Sequence, residues 1–278
     1  MGSVVTRRRL FRAAAVVAAA TPLGASPRPA FAGVGRHVRH PQHFVLVHGA
    51  WHGAWCWFKI TAALEAAGHR TTAIDLPSAG IDGTPPANVT LESQAARVLA
   101  VVDAADAPVV LVGHSAGGPV VSTVAEARPE KIAKLVYVTA FLLPNGGSIV
   151  AVTANDPDSL ITPNLVVSPD GTVAVRLESV RDVFYGTCDD ADVELAHALL
   201  KPIAFQPTIT PVSVGASFES VRRFYVRCRR DRAVTFAAQR AMLDALPCER
   251  TFTIDSDHSP FLSHPGALVR ILAAIARA

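Results

Sequence analysis

This sequence predicts an α/β fold: a mostly parallel six-stranded sheet with helices on both faces and an inserted cap. Three observations carry that reading. Short apolar runs alternate with segments of helical spacing from Phe44 to Val138, and again from Arg223 to the C-terminus. Each run is continuously apolar, which suits a strand buried on both faces. Between the two stretches, residues 141–214 lose the rhythm and are too long for an ordinary loop, so they read as a cap.

Phe44–Val47 is the first strand and ends at His48-Gly49-Ala50. Trp55 to Ala67 has helical spacing and stops at Gly68, a suitable C-cap. Arg70 to Ile74 is the second strand, and Asp75 to Val89 is a loop rich in Pro and Gly. Thr90 caps a helix running through Leu91, Ala95, Val98 and Val102. Val109–Val112 is the third strand, a helix spans Pro119 to Ala127, and Lys134–Val138 is the fourth strand. Within the cap, Leu165–Val167 and Thr172–Val175 flank a Ser168-Pro169-Asp170-Gly171 hairpin signal, and Asp189 caps a helix that ends at Lys201-Pro202. The core resumes with Arg223–Arg227, a helix near Thr235–Leu246, the strand Arg250–Ile254 and a final helix after Pro265. Residues 43–140 and 215–278 thus form the core around the cap.

At 278 residues the chain can bury one sizeable core. Half its residues are hydrophobic and 18% charged, which excludes a disordered or fibrous protein. The net charge of +3 is concentrated: residues 1–32 hold five arginines and no acid, leaving 21 basic and 23 acidic side chains beyond. A nucleic-acid footprint is therefore absent from the body of the chain.

Residues 1–32 read as an export signal. Arg7-Arg8-Arg9-Leu10-Phe11-Arg12 precedes the apolar run Ala13 to Ala20, and Ala30-Phe31-Ala32 offers a small-x-small cleavage site. The paired arginines resemble the bacterial twin-arginine signal, implying the twin-arginine export machinery as a partner of the precursor. The apolar run is far shorter than the roughly 20 residues that span a bilayer, so no stable membrane anchor is expected. The expected product is secreted or extracytoplasmic, cleaved near Ala32, with 33–42 as a polar linker. Cys56, Cys188, Cys228 and Cys248 lack metal-ligand spacing; they fit either disulfides, in three possible pairings, or buried thiols.

Gly113-His114-Ser115-Ala116-Gly117 lies between a strand and a helix, the context of a nucleophile elbow. So tight a turn strains Ser115, and side chains at 113 and 117 would collide. The serine hydroxyl then stands at a helix N-terminus, which favours developing negative charge. A serine needs a base, and the base an orienting acid. His258 follows the last strand, where parallel sheets build their sites. His37, His40, His43, His69, His197 and His264 sit in linker, turn or helix positions. Asp231, after the penultimate strand, is the candidate acid; Asp255 and Asp257 compete but adjoin His258 along the backbone. The N–H groups of Ala116 and Ala50 are the candidate oxyanion donors. His48 and His52 have a metal-like spacing but no helix or third ligand, so a structural role suits them better, and no metal is expected. Trp51, Phe141, Phe184 and Phe205 are candidate pocket walls, each equally suited to the core.

Phe44 to Trp57, with Ala66-Ala67-Gly68-His69 and Gly113 to Gly118, resembles the α/β-hydrolase branch that holds plant methyl esterases, hydroxynitrile lyases and bacterial pyrethroid-hydrolase-like esterases. The likeness runs from about Phe44 to the C-terminus and is weak in the cap. It implies Ser115, Asp231 and His258 as a triad, Ala50 and Ala116 as the oxyanion hole, and no cofactor. The lyase members carry a lysine directly after the histidine and a threonine in place of the loop glycine. Here Ser259 and Gly49 stand at those positions, which favours hydrolysis. The expectation is an exported serine hydrolase acting on a small, mostly apolar carboxylic ester. The alternatives are cyanohydrin or C–C bond cleavage on the same scaffold, and a weakly catalytic small-molecule receptor.

Overall fold

The computed structural model describes residues 40–278. The export signal read in residues 1–32, and most of the linker, lie outside the described residues. Six strands build the main sheet: β1 (His43–Val47), β2 (Arg70–Ile74), β3 (Val109–His114), β4 (Ile132–Val138), β8 (Arg223–Cys228) and β9 (Arg250–Ile254). Their order is β2-β1-β3-β4-β8-β9 and every pairing is parallel. The remaining strands, β5 (Leu165–Val167), β6 (Thr172–Val175) and β7 (Ile203–Ala204), form a small antiparallel sheet in the cap.

Successive strand residues point to opposite faces, so each strand feeds two cores. Phe44, Leu46, Val110, Val112, Val136 and Val138 pack under α1 (Phe58–Ala66) and α11 (Pro265–Arg277). Val45, Val47, Leu111, Leu135 and Tyr137 pack under α2 (Leu91–Asp103), α3 (Gly117–Ala127) and α9 (Phe236–Ala245). Both faces being covered explains why the central strands β1, β3 and β4 are largely apolar without alternation. The edge strands β2 and β9 depart from a continuous apolar run, carrying Arg and Thr and being only partly buried. The helix starts follow their caps. Thr90 and Ser93 exchange side chain and backbone bonds in a capping box, while the Asp189 and Thr235 side chains accept from Asp192 and Ala238 N–H.

The cap holds α4 (Ile149–Thr153), α5 (Val180–Phe184), α6 (Asp190–Leu199) and α7 (Gln206–Ile209) around its hairpin. The hairpin and α6 stand where the sequence predicts them, whereas α4, α5, α7 and the third strand β7 are additions. The short α8 (Ala216–Ser220) buries Phe218 in the core on the α2–α3 face. The described residues, 40–278, fall in one compact unit, so the cap is packed onto the core and not a separate domain.

Candidate active site

β3 ends at His114 and turns at Ser115, whose φ of 50° places it in the left-handed region. The flanking glycines are sterically required. A Cβ on Gly113 would lie 2.7 Å from Val121 Cγ2, and one on Gly117 would lie 2.7 Å from the His48 carbonyl oxygen. The elbow therefore jams α3 against β3 and against the loop after β1, and that approach brings Ala116 and Ala50 together.

His258 lies between β9 and the short helix α10 (Pro260–Ser263), and its Nδ1 is 2.7 Å from Asp231 Oδ2. Both side chains are buried. A carboxylate accepts, so Nδ1 carries the proton and Nε2 is left as the basic nitrogen. Asp231 is held by three further donors: Ala233 N–H at 2.7 Å and Val234 N–H at 2.9 Å on Oδ1, and the Thr139 hydroxyl on Oδ2. The rival carboxylates are engaged elsewhere. Asp255 is exposed and pairs with Arg230 at 2.6 Å. Asp257 is buried and accepts Thr187 N–H at 2.7 Å, Ser259 N–H at 3.0 Å and the Ser263 hydroxyl at 3.0 Å.

Ser115, Ala50 and Ala116 line one cavity of about 60 Å³, together with Trp51, Phe141 and Phe205. A second recess of about 40 Å³, bounded by Leu76, Val89 and Leu91, shares Ala50 and Ala116 with the first. Two mainly apolar spaces thus meet at the two candidate oxyanion donors. Phe184 is a correction: it does not line the cavity with Ser115. It is fully buried, its ring centroid 5.4 Å from that of Trp51 and 5.6 Å from that of His258, because α5 turns Val180, Val183 and Phe184 into the core.

Three buried imidazoles surround the elbow. His48 Nδ1 donates to Gly49 O at 2.8 Å while its Nε2 accepts Leu76 N–H at 3.1 Å. His52 Nδ1 meets Ala50 O at 2.7 Å and its Nε2 meets the Tyr185 hydroxyl at 2.7 Å. Every ring nitrogen of these two is occupied, which leaves no lone pair for a metal. His114 donates Nε2–H to the His258 carbonyl at 2.9 Å. Burial lowers the pKa of all three, that of His52 to about 3, so they are neutral at physiological pH. The four cysteines are free thiols, and burial raises each pKa, that of Cys248 to about 12, which makes them poor nucleophiles.

Thr139, His114 and Tyr185 had no signal in the sequence: each acts through partners distant along the chain. His264 stands at the N-cap of α11, yet its side chain makes no cap bond.

A model of the alpha/beta hydrolase family matches residues 44–271. Methylesterase 7 of Arabidopsis thaliana is 33% identical over 250 residues, covering 84% of this chain and 96% of the relative. A longer chloroplastic protein of the same plant, placed by name among the methylesterases, is 34% identical over 252 residues, covering 85% of this chain. The chain spans 64% of that relative's length. The crystal structure of a pyrethroid hydrolase from Sphingobium faniae superposes with a TM-score of 0.78 at 26% identity, covering 86% of this chain and 98% of that one. Sheet order, elbow and these matches agree, and the chain belongs to the alpha/beta hydrolase family.

Proposed function

We propose that this chain is an exported carboxylic ester hydrolase that cleaves small, mostly apolar esters through an acyl-enzyme on Ser115. The observation that carries the reading is the buried His258–Asp231 pair, 2.7 Å apart, on the loops beyond β9 and β8. That geometry leaves His258 Nε2 as the base of the pair. His258 takes the proton from Ser115 Oγ as that oxygen attacks the ester carbonyl, and Asp231 holds the ring and steadies the imidazolium. The carbonyl oxygen becomes an oxyanion received by the N–H groups of Ala50 and Ala116. Collapse breaks the ester C–O bond, and His258 returns its proton to the departing alcohol. Water then repeats the attack, releasing the acid and restoring Ser115.

The apolar lining of both recesses supports an apolar ester with modest groups on each side of the carbonyl. Methylesterase and pyrethroid hydrolase relatives support the same class. Ser259 beside His258 provides no cation for a departing cyanide, which sets the lyase reading behind hydrolysis. Export rests on the arginine-rich, alanine-rich pattern of residues 1–32.

The test is turnover of p-nitrophenyl esters of graded chain length by purified protein. Short acyl chains should be favoured, and Ser115→Ala should lose both turnover and covalent labelling by a fluorophosphonate while remaining folded. Slow single-turnover release in the parent would instead point to a receptor. Secreted material should begin near Gly33, and Arg7→Lys with Arg8→Lys should hold the precursor in the cytoplasm.

A further inference from the structure

The loop that presents Ala50 N–H is held from two directions. A trans peptide sets its C=O and N–H on opposite sides, so whatever fixes the Gly49 carbonyl also aims the Ala50 N–H. His48 fixes that carbonyl from within the core, at 2.8 Å. The next carbonyl, Ala50 O, accepts from His52 Nδ1 at 2.7 Å. Both peptide planes flanking Ala50 are therefore pinned by imidazoles.

His52 is in turn held by the cap. Ala50 O can only accept, so His52 Nδ1 carries the proton, Nε2 is an acceptor, and the Tyr185 hydroxyl 2.7 Å away must donate. Tyr185 is fully buried and His52 is 1% exposed, so water cannot replace either bond. Two more cap groups seize the following residue. Lys201 N–H donates to Trp51 O at 3.0 Å, and Trp51 Nε1–H donates to Val173 O at 3.0 Å. Trp51 has a φ of 64°, a conformation a bulky side chain adopts only when its surroundings impose it.

We infer that the cap sets the oxyanion hole, with Tyr185 as a positioning residue that acts through His52 on the Ala50 peptide planes. This rests on the ester-hydrolase reading of the same site. Tyr185 touches neither substrate nor Ser115; it orders the donor that meets charge only in the transition state. Its loss should fall on kcat and leave KM unchanged, because ground-state binding in the apolar recesses does not use that donor.

The experiment compares Tyr185→Phe, His52→Asn and their double variant in the full mature chain. Steady-state ester kinetics are read alongside the affinity for an aryl trifluoromethyl ketone, whose adduct carries an oxyanion. Deleting an oxyanion donor outright costs about 100- to 1,000-fold, so loosening one should cost about 10-fold in kcat. Tyr185→Phe should show that loss with unchanged KM and a parallel loss of ketone affinity. His52→Asn keeps a donor for Ala50 O but cannot span to Tyr185, so it should match Tyr185→Phe. The double variant should then be no worse than either single. Tyr137→Phe removes an equally buried hydroxyl bonded to Ser122 at 2.7 Å, and should lower the melting temperature without touching kcat. A Tyr185→Phe variant with parental kcat, or one whose loss lies in KM or in Tm alone, overturns the inference. A parent that turns over no ester, or an active Ser115→Ala, overturns the functional reading instead.

Discussion

Thr139 and His258 converge on a single oxygen of Asp231. Oδ2 accepts the Thr139 hydroxyl as well as His258 Nδ1–H, while Oδ1 takes two backbone N–H groups. The carboxylate is thus saturated and cannot rotate away from the imidazole. Thr139 pays for this position with a φ of 40°, unfavourable for a β-branched residue.

Thr139→Val keeps the shape and deletes the hydroxyl. One lost bond to a buried carboxylate is worth about 1–3 kcal/mol, although only part of that need reach the transition state. We expect kcat/KM to fall about tenfold, with Thr139→Ser close to the parent. Ester kinetics on both variants decide it; equal activities would show that Asp231 is positioned without the hydroxyl.

Asp231→Asn and Asp257→Asn should separate chemistry from architecture. The first favours the wrong histidine tautomer and should cost about 10⁴-fold in kcat. Asp257 instead ties the cap at Thr187 to the loop around Ser259 and Ser263. Its amide variant should lower the melting temperature by several degrees and spare most of kcat. The reverse pattern would move the acid to Asp257.

What the sequence made legible follows the range of the interactions. Continuous apolar runs and local caps such as Thr90, Asp189 and Thr235 specify strands and helix starts through neighbours a few residues away. Ser115, Asp231 and His258 could be singled out as candidates because each sits at a strand end in a fixed chain order, and the structure pairs the last two at 2.7 Å. Thr139 and Tyr185 were not, since their partners Asp231 and His52 lie 92 and 133 residues away. Phe184 and Phe205 looked alike in sequence; the orientation of α5 alone buries the first, while the second lines the cavity with Ser115.

Acid should destabilise the fold before the carboxylates titrate. His48, His52 and His114 have pKa values lowered by burial, whereas in the unfolded chain they take the ordinary value of 6.5. Below that pH the unfolded state binds more protons, so stability is complete above pH 6.5 and declines as pH falls; for His52 the decline continues to about pH 3. Such a histidine contributes a slope of up to about 1.4 kcal/mol per pH unit only between its unfolded and folded pKa values, an interval that His52 carries through the whole range from pH 6.5 to 4.5. The melting temperature should fall steadily from pH 6.5 to 4.5. A flat profile across that window would mean these imidazoles are accessible to protons in the folded state.

The lyase alternative can be tested at Gly49 and Ser259, and the structure changes what the swap should do. Replacing these residues by threonine and lysine looks from sequence like a route to cyanohydrin cleavage. A Cβ at Gly49, however, would lie 2.6 Å from Ser115 Cβ and 2.9 Å from His114 Nδ1. Neither neighbour is the loose end of a flexible chain, so any side chain at 49 must push the loop away from the elbow. Ser259 is fully buried, and a lysine there would need its charge desolvated or paired. Gly49→Ala should therefore depress ester turnover by 100-fold or more, and Gly49→Thr with Ser259→Lys should lose esterase activity without gaining cyanide release. The parent should hydrolyse aryl acetates and release no cyanide from mandelonitrile above the uncatalysed rate. Following p-nitrophenol and benzaldehyde in parallel checks all three proteins. Benzaldehyde formation by the parent that outpaces its ester hydrolysis would overturn the esterase reading, and a Gly49→Ala variant with full turnover would show that the loop yields freely.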